Sequence, residues 1–374
     1  MKVKISACTI VKNEEKNIER WLAGVRSFAD EIIITDTGST DNTVALAEAG
    51  GAEIKYFSWC NDFAAAKNFA IKQAHGDWIV MLDADEYFDE TSQKKMRQII
   101  GKFHKQKQVA GLITPFLNID VKHDNKILSK AWQMRIFRRD PDLRFVGKVH
   151  ETLLNVSARG DKREFVVVED LQFIHTGYSV DNMEEKYQRN LQILQAEIKK
   201  QGGVTPRQFA YLQDCYMGIK DYHNAIRYGR LALEHRAESG LVGNERKAVC
   251  QLLDAIWQVN RKDYARELET ALDQFPNFAE LWVLHGRMLL GQKNIVAAEQ
   301  SFREALHLRD KKVTSIEEIS NTAIESMLPE IEASLAYIDR YKPYYEAMAR
   351  QDYESAACAA VQMLRNLRCQ LHAQ

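Results

Sequence analysis

Asp83 and Asp85 stand in DWIVMLDADEYF (residues 77–88), directly after an apolar run from Trp78 to Leu82. Carboxylates this close raise one another's pKa and repel unless a cation sits between them. They form either a solvated cap between strand and loop or the grip on a metal. On an extended segment, side chains at i and i+2 point the same way. Two oxygens presented from one side suit a hard divalent cation that keeps waters and binds a diphosphate. In IIITDTGSTDNT, Asp36, Gly38, Ser39 and Asp41 likewise end a strand. Gly38 allows a tight turn and close approach of backbone to ligand. The Asp36 carboxylate could accept from a ribose hydroxyl or a base N–H. The competing role for Ser39 and Asp41 is to cap the next helix.

SWCNDFAAAKNFAI adds Asp62, Lys67 and Asn68. Lys67, early in a helix beside these carboxylates, is a candidate for a phosphate or nucleotide contact, or else a solvated surface lysine. Asn13 and Glu14 follow the first strand and suit either ligand contact or a helix cap. VGKVHETL supplies His150 and Glu151, and FIHTGY supplies His175 and Tyr178. A carboxylate near an acceptor hydroxyl or thiol can remove its proton during attack. A histidine can be the third protein ligand of a metal already held by aspartates, although one in an apolar strand can equally be a core residue. Arg135, Arg138 and Arg139 are candidates for diphosphate contacts.

The elements that must position these groups alternate. Strands are expected at VKISACTIV, EIIITD, EIKYF, DWIVML and VAGLITPFL. Between the first two, Ile18, Trp21, Leu22, Val25 and Phe28 fall at helical spacing. STDNTVALAEAGGA opens on cap residues and closes on glycines, and residues 63–75 form an alanine-rich helix. This order implies an α/β domain with a mainly parallel sheet and helices on both faces. Ligands of such sheets bind beyond the carboxyl ends of the strands. We expect this domain over residues 1–180, a linking helix over 181–204 and an all-α domain over 205–374. In the last, Trp282, Gly286, Leu289, Ala298, Phe302 and Ala305 occupy the offsets of the tetratricopeptide pattern. Tyr216, Ala225 and Ala232 mark a weaker copy, and YYEAMARQDYESAACAAVQML a degenerate last one.

The 374 residues carry 51 basic and 52 acidic side chains, so no global field favours nucleic acid or a membrane surface. Six scattered cysteines without a C-x-x-C pair fit a reducing cytosol rather than a disulfide framework. No apolar run approaches the about 18 residues of a membrane span, and MKVKISACTIV reads as a first core strand rather than a signal peptide. A cytoplasmic protein is expected.

Together CTIVKNEEKNIERWL, EIIITDTGSTDNT, DFAAAKNFAI, GDWIVMLDADE and RIFRRDPDLRFVGKVHE resemble the inverting family 2 glycosyltransferases of GT-A fold. The resemblance covers roughly residues 3–180. It implies that Asp36 contacts uridine, with Thr9 and Val11 lining the base and Asn13, Glu14 and Ser39 nearby. It implies that Asp83, Ala84 and Asp85 are the D-x-D run, binding Mg2+ or Mn2+ and ribose. His175 precedes Gly177 and Tyr178 in a pattern that recurs among relatives, and its place as a further metal ligand is read from the residue itself. Lys67 and Arg138 would meet the nucleotide, and Glu151 would be the catalytic carboxylate, although the E-D pair common in that family is lacking here. The implied donor is UDP-glucose or UDP-N-acetylglucosamine. The tetratricopeptide-like tail resembles that of bacterial peptide glycosyltransferases, which implies a peptide or protein acceptor or a homodimer. The alternatives are transfer to lipopolysaccharide core or another glycan, and a non-catalytic peptide-binding scaffold.

Overall fold

The computed structural model describes residues 3–156, 163–176, 183–239, 245–311, 324 and 327–371. Gly177 and Tyr178 lie outside the described residues. The chain divides into two compact units, Met1–Lys220 and Asp221–Gln374.

The first unit opens with β1 (Ile5–Val11), α1 (Ile18–Arg26), β2 (Glu31–Asp36), α2 (Thr43–Ala49), β3 (Glu53–Tyr56), α3 (Phe63–Gln73) and β4 (Trp78–Met81). Alternate side chains of the central strands enter two layers, as the period-two geometry of a strand requires. Ile5, Ala7, Val11, Trp78 and Val80 pack with Trp21, Leu22 and Val25 of α1. Cys8, Ile79 and Met81 face Ala64 and Ala70 of α3. The α3 helix is capped by Asp62, whose carboxylate accepts the Ala65 N–H at 2.8 Å. Its small alanines let the helix lie close to the sheet.

β5 (Glu86–Phe88), α4 (Glu90–His104), β6 (Val109–Asp120), β7 (Lys126–Arg138), β8 (Leu143–Val146), β9 (Thr152–Asn155), β10 (Glu164–Val167) and β11 (Phe173–His175) follow. The main sheet runs β3-β2-β1-β4-β7-β6-β11-β5, with β10 beside β6. β1 to β4 pair in parallel, whereas β7 is antiparallel to both β4 and β6. The expected strand 109–117 continues to Asp120 and folds back through a short turn. Only an antiparallel partner can be reached so directly, so β7 takes the place beside β4. The sheet is mixed, with helices on both faces, in the α/β class expected. α5 (Met183–Gln201) and α6 (Pro206–Gly218) complete this unit. The ring of Tyr187 on α5 presses on Gly218 of α6, where any Cβ would clash with it.

The second unit is helical in its described residues: α7 (Tyr222–Glu234), α8 (Arg236–Ser239), α9 (Glu245–Val259), α10 (Arg261–Gln274), α11 (Ala279–Gly291), α12 (Ile295–Asp310), α13 (Leu328–Ala349) and α14 (Tyr353–Leu371). α11 and α12 form the strong repeat. Ala298, Phe302 and Ala305 are fully buried, and Gly286 lets the Phe302 ring approach to within 2.9 Å of where a Cβ would stand. The weaker copy, with Tyr216, Ala225 and Ala232, spans the boundary between units. No helix among the described residues is long and apolar enough to cross a membrane. Truncating the buried ring by Phe302→Ala is expected to destabilise the helical unit by about 3–5 kcal/mol. A fall in its urea midpoint, at unchanged helix content in water, is the measurement.

Candidate active site

A pocket of about 640 Å3 opens where β1, β2 and β4 end. Of the residues singled out from sequence, Val11, Glu14, Lys67, Asp83, Ala84, Asp85, Arg135, His150, Glu151 and His175 line it. Others serve the walls. Asp36 is buried and accepts the Gly38 and Ser39 N–H groups at 3.0 and 3.1 Å. Asn13 donates its N–H to Ser39 Oγ, and its Oδ1 accepts the Thr40 N–H. Asp41 accepts from Thr43 and Glu15, so it caps and clasps. Thr9 is fully buried. Asn68 brackets Phe145 with both halves of its amide and so fixes β8 to α3.

Arg138 departs from the diphosphate contact expected of it. The antiparallel register sets it opposite Trp78, at the amino end of β4 and away from the pocket. There it donates to the carbonyls of Phe103 and His104 at the end of α4, of Gln106 in the turn that follows and of Val109 at the start of β6. Arg135 is the arginine this register brings to the other end. Its guanidinium donates to both oxygens of Glu86, at 2.8 and 2.6 Å, and to Asp83 at 3.2 Å.

The acidic cluster is therefore completed by protein cations. Lys67 Nζ lies 2.8 Å from both Asp83 and Glu151, with its side chain 3% exposed. Burial alone would lower the lysine's pKa, and its two carboxylate partners reverse the sign and push it above the ordinary value. Burial would raise Asp83, but Lys67 and then Arg135 hold it well below the usual carboxylate range. Burial pushes Glu14 up, against the Asn17 amide that donates to it at 2.8 Å.

The two aspartates also diverge, contrary to the extended geometry expected. β4 ends at Met81, and the Glu86 N–H donates to the Asp83 carbonyl at 3.0 Å. This tight turn abolishes the alternation of a strand. Asp83 meets Lys67 and Arg135, while Asp85 Oδ2 lies 3.2 Å from His175 Nε2. β11 pairs with β5 and β6 so that His175 stands across from Glu86 and Asn118. Its Nδ1 is 2.8 Å from Asn118 Oδ1. The amide oxygen accepts only, so Nδ1 carries the proton and Nε2 faces Asp85. Burial lowers the His175 pKa, but Asp85 more than offsets this and the pKa ends above the ordinary value.

Two cis ligands, each about 2.1 Å from an octahedral cation, stand about 3 Å apart. Asp85 and His175 fit that edge, and the outer hydrogen bond to Asn118 is the kind that orients a ligating imidazole. Both oxygens of Asp83 meet cationic side chains, Lys67 at Oδ1 and Arg135 at Oδ2. Among the described residues no group of three or more His, Cys, Asp or Glu side chains surrounds one point. A cation here would draw its remaining ligands from water and substrate.

Lys186, Arg189 and Asn190 of α5, with Trp59 and Phe63, also line the pocket. The Arg189 guanidinium sits 5.1 Å over the Phe63 ring. Positions i, i+3 and i+4 share a helical face, which is a signal present in the sequence of α5. Removing the buried cation by Lys67→Met is expected to cost about 3 kcal/mol, because two carboxylates lose their shared partner. Adding Glu151→Gln should recover part of that loss, measured as a coupling energy from the unfolding of all four proteins in the double-mutant cycle.

Residues 6–168 match the family model described as Glycosyl transferase family 2. Curated relatives include a TPR repeat-containing protein of Synechococcus elongatus, 32% identical over 49% of this chain and 44% of that protein. The SPbeta prophage-derived glycosyltransferase SunS of Bacillus subtilis is 29% identical over 60% of this chain and 52% of its own. The chain spans about half the length of these relatives. Among solved structures, S. aureus TarS overlaps 69% of this chain and 50% of its own, at 18% identity and a TM-score of 0.36. Residues 6–168, whose strands and turns build most of the charged pocket, are thus similar to the glycosyl transferase family 2 domain.

Proposed function

We propose that the protein moves a sugar from a uridine diphosphate sugar to a peptide or protein acceptor, with inversion at the anomeric carbon. The observation that carries this reading is the joint placement of Asp85–His175 and Lys67–Glu151 on the walls of one pocket at the carboxyl ends of the parallel strands. A volume of about 640 Å3 suits a nucleotide sugar. Val11 at the end of β1 and Thr37 just after β2 line the nucleoside end, beside loops that Asp36, Asn13 and Ser39 hold together.

Asp85 and His175 would hold Mg2+ or Mn2+, which stabilises negative charge on a departing diphosphate. Lys186 and Arg189 add positive charge to the pocket wall. Glu151 would accept the proton of the acceptor hydroxyl or thiol as that atom attacks the anomeric carbon. The bond from that carbon to the diphosphate oxygen breaks, and its electron pair leaves with the diphosphate. Lys67 fixes the position of the Glu151 carboxylate and balances its charge. A positioned base of this kind contributes about 10²–10⁴-fold in rate.

The second unit offers no comparable charged pocket among its described residues. Stacked helical hairpins present extended surfaces suited to a polypeptide. A cavity of about 240 Å3 between α7, α9 and α10, lined by Leu233, Leu252 and Phe275, is consistent with an apolar side-chain contact. The glycosyltransferase relatives support the transfer chemistry, and the TPR repeat-containing relative supports the helical part.

Asp85→Ala should abolish release of UDP from a UDP-sugar in the presence of Mg2+ or Mn2+, and should remove metal-dependent thermal stabilisation by UDP. Wild-type turnover by this variant would overturn the proposal. Deleting residues 221–374, which follow the first compact unit, should weaken modification of a protein acceptor far more than donor hydrolysis. Stabilisation by UDP serves as the check that the shortened chain is folded, and equal losses in both reactions would remove the acceptor-recruiting role.

A further inference from the structure

Glu151 stands at the end of the loop between β8 and β9, residues 147–151. This loop turns sharply: Gly147 has φ of 102° and His150 a φ of 53°, a left-handed conformation uncommon outside glycine. Such a backbone persists only where its surroundings hold it. On one side the hold comes from α3, where the Phe63 N–H donates to the Lys148 carbonyl at 2.9 Å and Lys67 grips Glu151. On the other side it comes from α6. The imidazole of His150 stacks on the Tyr211 ring, with centroids 4.7 Å apart and planes 13° from parallel. His150 Nε2 also lies 3.7 Å from the buried Asp214 carboxylate. Tyr211 and Asp214 are three residues apart and so share one face of α6.

We infer that Tyr211 and Asp214 are positioning residues for the transfer reaction, acting through His150 to set the loop that presents Glu151 to the acceptor. This inference rests on the function proposed above, and it assigns α6 to the reaction centre rather than to acceptor recruitment. Both residues lie beyond residue 168, where the family match ends, so the family domain by itself lacks half of the clamp on its candidate base. The stacked ring fixes the plane of the imidazole, and the carboxylate, at ion-pair rather than hydrogen-bond distance, favours the edge that faces α6. With the side chain held at both points, the left-handed backbone of His150 directs the next residue back towards Lys67. Released from α6, the loop keeps only its α3 anchor, and Glu151 can leave the alignment that proton transfer needs.

The test uses the full-length chain with Tyr211→Ala, Tyr211→Phe, Asp214→Asn and His150→Asn. Each is assayed for kcat and acceptor KM in sugar transfer, for UDP affinity, and for thermal stability. Misplacing a reacting group by about 1 Å costs about 10²-fold in rate. Tyr211→Ala and Asp214→Asn should therefore lower kcat by about that factor while UDP affinity stays as in wild type. Tyr211→Phe, which keeps the stacked ring, should retain most of the rate. His150→Asn tolerates the left-handed backbone but has no ring to clamp, so it should fall with Tyr211→Ala. Asp214→Asn changes no volume and keeps the test open should Tyr211→Ala fail to fold. Unchanged kcat in folded Asp214→Asn and His150→Asn overturns the inference while leaving the proposed function standing. Parallel loss of UDP affinity, kcat and stability also overturns it, because it marks a general loosening of the unit. Absence of UDP-sugar turnover in the wild-type protein sinks the proposed function first, and the inference with it.

Discussion

Lys67 is the charge on which the site turns. Three carboxylates, Asp83, Glu86 and Glu151, come close together at the end of a buried strand, and such a cluster is untenable without countercharge. Lys67 joins two of them, and Arg135 joins Asp83 to Glu86. A buried ion pair is weak evidence of net stabilisation, because desolvation offsets most of the attraction. Its value lies in geometry. Each carboxylate has one low-energy position once its cation is fixed, and the cations are fixed by a helix and a strand rather than by a loop.

The mixed sheet follows from the same requirement. A wholly parallel arrangement would bring only loops to the carboxyl edge. The β6–β7 hairpin inserts an antiparallel strand beside β4, which delivers Arg135 to the acidic turn and sends Arg138 to the opposite end. The short β5–β11 pairing delivers His175 beside Asp85 by the same logic. Side chains from antiparallel strands thus meet the loops of the parallel ones, and the two populations carry opposite or complementary charge. The loops after β1 and β2 are spent on holding each other, through Asn13, Ser39, Asp36 and Asp41, and so keep the pocket open on that side.

The helices that follow the family-matched residues also belong to the site. α5 lends Lys186 and Arg189 to the pocket, and α6 holds His150. Side chains at i, i+3 and i+4 need only a rigid helix to converge, which makes such helices economical walls. The first compact unit, Met1–Lys220, includes both helices.

The order of strands and helices up to β4, the two-sided burial of the sheet and the helical hairpins of the second unit were legible because hydrophobic periodicity is local and survives in a single sequence. Lys67, Asp83, Asp85, Glu151 and His175, each singled out from its local motif, line one pocket, although Lys67 comes from a helix and Glu151 from a loop of the small second sheet. Sequence alone could not divide the cations among the carboxylates. Asp83 and Asp85 part company because a turn, set by one backbone hydrogen bond, replaces the expected extension. Arg135 rather than Arg138 reaches the site because antiparallel register assigns neighbouring arginines to opposite ends of β4. The turn is local, but the arginine that ties Asp83 to Glu86 across it, and the register that delivers that arginine, come from far along the chain, so only the folded structure could decide them.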